Sequence, residues 1–174
     1  MEKKLQFYLR RLQGITGIFP LGYFLYFHLK DGESFSSRGF IFSLIFLWLP
    51  LLFHSIYGLY ITYESGMNIC CYRYLRNFMY YLQRWSGLFI ILFLSYHIYI
   101  MNFGTFKSSI TNEFFLFALV IISIFHFSNG IFGFLVDYGI TVGDKAQKVA
   151  VLLSFMTFIF FGVYGAIKFF NFVG

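Results

Sequence analysis

The sequence predicts an all-α membrane protein: a bundle of five transmembrane helices with a cytoplasmic N-terminus. Three observations predict it. Of 174 residues, 59% are hydrophobic, 25% aromatic and only 11% charged, whereas a soluble domain carries about 25% charged residues. Five apolar runs each approach the roughly 20 residues needed to cross a hydrocarbon core of about 30 Å. All four histidines, His28, His54, His97 and His126, fall within those runs and none in a loop. Backbone groups in hydrocarbon must satisfy one another, so spans of this length are helices.

The chain reads as one domain, 1–174. Helix I is expected at about 13–30. Arg10 and Arg11 precede it and no small-residue cleavage site follows, so it spans rather than serving as a signal peptide. Pro20 is expected to kink it. Asp31-Gly32-Glu33-Ser34 ends it. Helix II, about 40–63, carries Pro50 four residues before His54, where a kink would aim the ring. Trp48 lies too deep for an interfacial belt and is read as packing near a cofactor. The longest connection, 64–82, holds Arg73, Arg76 and the only two cysteines, Cys70 and Cys71. Adjacent cysteines make neither a CxxCH attachment nor a zinc knuckle, so any haem is held without thioether bonds. Helix III, about 83–102, begins at Arg84 and ends before Lys107-Ser108-Ser109. Helix IV is about 114–137 and helix V about 148–170, with Asp137 and Asp144 as loop charges between them.

Lys/Arg asymmetry gives the orientation. With the N-terminus inside, the inner face holds Lys3, Lys4, Arg10, Arg11, Arg73, Arg76, Arg84, Lys145 and Lys148; the outer face holds Lys30, Arg38, Lys107 and Lys168. The net charge of +6 is thus distributed as topology signals, not as a nucleic-acid patch.

Helices II and IV repeat Phe-His-x-x-x-Gly, as Phe53-His54 to Gly58 and Phe125-His126 to Gly130. Helices I and III repeat Thr16-Gly17 or Ser86-Gly87 followed by Phe27-His28 or Tyr96-His97. The chain reads as a duplicated hairpin plus a fifth helix. With about 1.5 Å of rise per residue, His54 and His126 lie roughly 20–23 Å from the outer end. His28 and His97 lie about 20–25 Å above the inner face. Two depth-matched pairs follow: His54 with His126 inside, His28 with His97 outside.

Imidazole is a good ligand for haem iron, and two fill its axial positions. The histidines are therefore read as ligands of two haems; the plainer reading is interhelical hydrogen bonding. Gly58 and Gly130, one turn beyond the ligands, let a flat macrocycle approach the backbone, or simply permit close helix packing. Arg11 and Arg84 are candidate partners of haem propionates, or anchors for lipid phosphates. Asp31 and Glu33 are candidate acids of an outer quinone site, or solvated loop residues.

Several segments together resemble a known family. They are Phe7 to Leu12, Leu49 to Gly58, Tyr80 to Gly87, Ser95-Tyr96-His97, and Ile124 to Gly130 continuing to Tyr138-Gly139-Ile140-Thr141-Val142. They resemble the di-haem cytochrome b membrane-anchor subunit of bacterial succinate:quinone oxidoreductase (succinate dehydrogenase or fumarate reductase), in its single-anchor, five-helix form. The resemblance implies two haem b groups, with His54 and His126 on the inner one and His28 and His97 on the outer. It implies a flavoprotein subunit with covalent FAD and an iron–sulfur subunit on the cytoplasmic face. It also implies a quinone acceptor and a place in the bacterial inner membrane. No GxGxxG and no cysteine series occurs here, so FAD and iron–sulfur clusters belong to those partners. Some fumarate-reducing relatives have a glutamate two positions before the fourth-helix ligand; here that position is Ile124, which favours succinate oxidation. The expected role is electron transfer through two haems to a quinone, read as menaquinone. A di-haem subunit of a fumarate reductase, hydrogenase or nitrate reductase is the alternative. A histidine-containing transporter is a further one, but it would call for acidic residues at the span centres, and the sequence has none there.

Overall fold

The computed structural model describes residues 2–29, 44–65, 75–103 and 110–173. Among them are five α-helices: α1 (Glu2–Leu29), α2 (Leu49–Ser65), α3 (Leu75–Phe103), α4 (Ile110–Asp137) and α5 (Asp144–Val173). A single π-turn, Leu44–Trp48, leads directly into α2. The expected loop residues Asp31, Glu33, Cys70 and Cys71 lie outside the described residues.

α1 starts at Glu2 and α3 at Leu75, well before the apolar runs at 13 and 83. Hydropathy marks where a chain becomes apolar; the backbone ladder stops only at a breaker. Neither 2–12 nor 75–82 contains a Gly or Pro, so both helices extend through their polar flanks. Pro20 lies inside α1 without ending it. Pro50 acts differently. A proline has no N–H to donate and its ring crowds the carbonyl four residues back, here that of Phe46. The π-turn ends two residues before Pro50 and widens the helix where that carbonyl needs room. Trp48 belongs to this turn and is exposed among the described residues.

Contacts at the ends show that the first four helices alternate in direction. Arg10 on α1 meets Glu64 at the end of α2, 3.9 Å away. The Tyr80 hydroxyl on α3 donates to Asp137 at the end of α4. Tyr138, just past α4, donates from its hydroxyl to the Arg11 carbonyl at 3.2 Å. At the opposite end the Tyr96 hydroxyl on α3 donates to Asn112 of α4 at 3.0 Å. α1 packs on α2 and α4, and α3 packs on α2 and α4, which closes a ring of four.

α4 ends in a Schellman turn. Gly139 (φ 71°) donates to the Val136 carbonyl, and the Ile140 N–H reaches back to the Leu135 carbonyl at 2.9 Å. The chain then enters α5, which lies outside the ring against α4. Phe125 meets Phe158 edge-on at 5.5 Å, and Phe117 packs on Phe169 at 5.1 Å. Met79, Phe132 and Ala150 join α3, α4 and α5 in a small core at the charged end. The free side of α5 presents Phe155, Phe160, Val163 and Ile167, a composition suited to lipid rather than water. Three helical stretches are long and apolar enough to cross a membrane: Ile45–Glu64, Asn112–Asp137 and Asp144–Asn171.

Candidate functional site

His54 projects from α2 and His126 from α4 into the middle of the four-helix ring, where their rings stand 6.0 Å apart and perpendicular, at 89°. Each ring lies against a glycine of a neighbouring helix. A Cβ at Gly17 of α1 would fall 2.5 Å from His54 Cε1, and one at Gly87 of α3 would fall 3.1 Å from His126 Cε1. The glycines thus give the rings their room, and they lie on α1 and α3, not on α2 and α4, which carry these two histidines. In front of Gly58 and Gly130 are glutamine amides: Gln13 Nε2 at 3.3 Å and Gln83 Nε2 at 3.1 Å from the respective Cβ positions.

Hydrogen bonding fixes which imidazole nitrogen carries the proton and which the lone pair. His54 Nδ1 lies 2.8 Å from the Gln13 backbone carbonyl. A carbonyl only accepts, so Nδ1 carries the proton and Nε2 the lone pair. For His126 the assignment follows through a relay. The Met79 carbonyl must accept, so the Asn129 atom 2.8 Å from it is the amide nitrogen. That nitrogen also faces Gln83 at 2.8 Å, which makes the Gln83 atom its carbonyl oxygen, Oε1. The other end of the Gln83 amide, Nε2, therefore donates to His126 Nε2 at 3.1 Å. With its lone pair at Nε2, His126 holds its proton on Nδ1, 2.9 Å from Ser86 Oγ. The Ser86 hydroxyl accepts it and sends its own proton to the Leu82 carbonyl at 2.7 Å. Both rings thus present Nε2 as the electron-pair donor.

Two imidazoles on opposite sides of one metal ion, each nitrogen about 2 Å from it, have centroids roughly 6 Å apart. The donor chemistry therefore suits a haem iron, provided that the Gln83 amide yields His126 Nε2 to the metal. Among the described residues no group of three His, Cys, Asp or Glu side chains could hold a bare ion. A metal that brings its own equatorial ligands is what a lone pair of histidines can hold.

His97 stands toward the opposite end, in a cleft between α3 and α4 lined by Phe93, Tyr96, Ile100, Asn112 and Phe115. Phe115 packs on Phe93 at 5.5 Å and on Tyr96 at 4.6 Å. His28 is on the backbone of α1 near its C-terminus; its side chain lies outside the described residues, as do Asp31 and Glu33. Arg11 is at the charged end, its guanidinium over the Phe7 ring at 4.3 Å and the Tyr138 ring at 5.0 Å, with Nε buried and unbonded. Arg84 is one residue beyond Gln83 on α3.

Gln13, Gln83, Ser86 and Asn129 are site residues that sequence reasoning passed over. The signal was present: Leu12-Gln13-x-x-Thr16-Gly17 recurs as Leu82-Gln83-x-x-Ser86-Gly87.

No family model matches the chain, and no solved structure matches it. The chain is 31% identical over 202 aligned positions to the succinate dehydrogenase cytochrome b558 subunit of Bacillus subtilis (strain 168), with 99% of this chain and all of the relative covered. That likeness runs end to end and includes the histidine-bearing helices. This chain belongs to the family of succinate dehydrogenase cytochrome b558 subunits, and it is a membrane protein.

Proposed function

We propose that this chain is the haem-bearing membrane anchor of a bacterial succinate dehydrogenase, carrying electrons from the iron–sulfur subunit to a membrane quinone. The observation that carries the reading is the facing pair His54 and His126, both with Nε2 as donor, in a chain of this family. They would hold the inner haem b, which supplies a one-electron carrier at that depth. His28 and His97 would hold a second haem b toward the outer face.

All five helices are taken to cross the inner membrane, with the N-terminus inside. α1 and α3 have 28 and 29 residues, about 42–44 Å of helix at the standard rise, and both complete the ring with α2 and α4. Arg10, Arg11, Arg76, Lys145 and Lys148 cluster at one end, the face on which the flavoprotein and iron–sulfur subunits would dock. Arg11 and Arg84 would meet haem propionates. Asp31 and Glu33 would serve an outer quinone site, with menaquinone as acceptor.

Haem content and reduced-minus-oxidised spectra of the purified complex test this. Two b-type haems per chain are expected. His54→Ala and His126→Ala should each remove the same haem, and His28→Ala and His97→Ala the other. Protein without iron, or four variants with unchanged haem content, would sink the reading.

A further inference from the structure

The two facing histidines lean on different supports, although the sequence offers both the same ones. Position 16 on α1 and position 86 on α3 are equivalent in the Leu-Gln-x-x-Thr/Ser-Gly repeat. Their hydroxyls bond backward in the same way, Thr16 to the Leu12 and Gln13 carbonyls at 2.9 and 3.1 Å, Ser86 to the Leu82 and Gln83 carbonyls at 2.7 and 3.1 Å. Yet His54 bypasses Thr16 and donates to the Gln13 backbone carbonyl, whereas His126 donates to the Ser86 hydroxyl itself.

The chemical difference is real. A backbone carbonyl is an acceptor fixed in the helix. A serine oxygen accepts well only while its proton is committed elsewhere, and Ser86 commits it to Leu82. The oxygen is 5% exposed as a residue, so water does not compete for it. In such a chain each bond polarises the next. The partner of a ligating imidazole's distal N–H fixes its tautomer and raises its basicity.

We propose that Ser86 is a positioning residue for His126. Its oxygen accepts from Nδ1 at 2.9 Å while its own proton goes to the Leu82 carbonyl, so it holds that ring in the Nδ1–H form, and the electron density it returns to Nε2 lowers the potential of the inner haem. The proposal rests on the assignment of His126 as a ligand of that haem and goes beyond it.

Equilibrium redox titration of both haems in the intact complex tests it, with low-spin ferric haem resonances as a second readout. Removing the acceptor leaves a less basic imidazole, so Ser86→Ala should raise the inner-haem potential and leave the outer one in place. Ser86→Thr should restore it. Ser86→Cys keeps the volume and weakens the acceptor, and should also titrate above the parent; it carries the test should the alanine variant fail to assemble. Thr16→Ala deletes the equivalent hydroxyl that no ring uses and should leave both potentials unchanged. Ser86→Cys and Ser86→Ala titrating as the parent would overturn the proposal, as would an equal shift in Thr16→Ala. Failure of the ligand assignment looks different: His126→Ala would then retain both haems.

Discussion

At Gly17 one methyl group decides whether α1 and α2 can meet. A Cβ there would lie 2.5 Å from His54 Cε1 and 2.7 Å from Nδ1, and the ring cannot retreat without losing its bond to Gln13. At Gly87 the same methyl meets His126 less tightly, Cε1 at 3.1 Å and Nδ1 at 3.7 Å, and at Gly14 it makes an ordinary contact with Phe134 at 3.9 Å. Alanine substitution should therefore grade: Gly14→Ala neutral, Gly87→Ala intermediate, Gly17→Ala the most damaging. Overpacking of this kind costs about 1–3 kcal/mol. Inner-haem content per chain is the measurement, and Gly14→Ala losing as much as Gly17→Ala would contradict the geometry. The charged end offers a second residue-scale expectation. Burial, and then the Asp137 carboxylate it bonds, push the Tyr80 phenol up to about 12. A raised phenol favours the folded state below its ordinary value of about 10, and that advantage is lost as pH climbs from there to about 12. Tyrosinate absorbance should show that Tyr80→Phe deletes a group titrating near the top of that window. Asp137→Asn should lower it only in part, since burial is the larger cause.

The elements show what a sequence carries and what it withholds. Helix centres were legible because hydropathy tracks burial in lipid, and the level shared by His54 and His126 could be counted because the rise per residue is fixed. The starts of α1 and α3 were not, since Glu2 to Leu12 and Leu75 to Leu82 are polar enough to read as loop yet contain nothing that breaks a helix. The glutamine relay was hidden for another reason: a glutamine gains meaning only from the partner it faces, and Gln83 is set by Asn129, 46 positions away in sequence. The π-turn before α2 follows from Pro50, and Pro50→Ala should let 44–48 continue as ordinary α-helix. His54 lies beyond the break, so haem spectra should hold while Trp48 emission shifts, with Trp85 as an internal reference. A changed haem spectrum with unchanged emission would place the effect of the proline on the wrong side. α5 contains no histidine and meets α4 through Gly165, whose Cβ would fall 2.8 Å from Ile124 Cδ1 and 3.4 Å from Val120. Gly165→Leu should lower thermal stability in detergent by about 1–3 kcal/mol and leave haem content intact. Loss of haem would mean that the ring depends on α5.

For the molecule as a whole, the open quantity is how many helices cross. Three stretches satisfy length and composition by themselves, while α1 and α3 are made more polar by the arginines and glutamines that the site and the charged end use. Packing argues for five: α1 and α3 each line α2 and α4 along the ring, and a helix that runs beside a spanning one through hydrocarbon spans it too. Three crossings and five both place the termini on opposite sides, so tags at the ends cannot separate them. The connection between α2 and α3 can. With the N-terminus inside, five crossings return residues 66–74 to the cytoplasm, whereas crossing by α2, α4 and α5 alone would leave them outside. The only cysteines of the chain, Cys70 and Cys71, lie in that connection and are native reporters of its side. A membrane-impermeant maleimide should leave them unlabelled in intact cells and label them in inverted vesicles. With an N-terminal tag found inside, labelling from the outside would reduce the bundle to three crossings and take α1, with Gln13 and Gly17, out of the hydrocarbon in which the paired-histidine site is built.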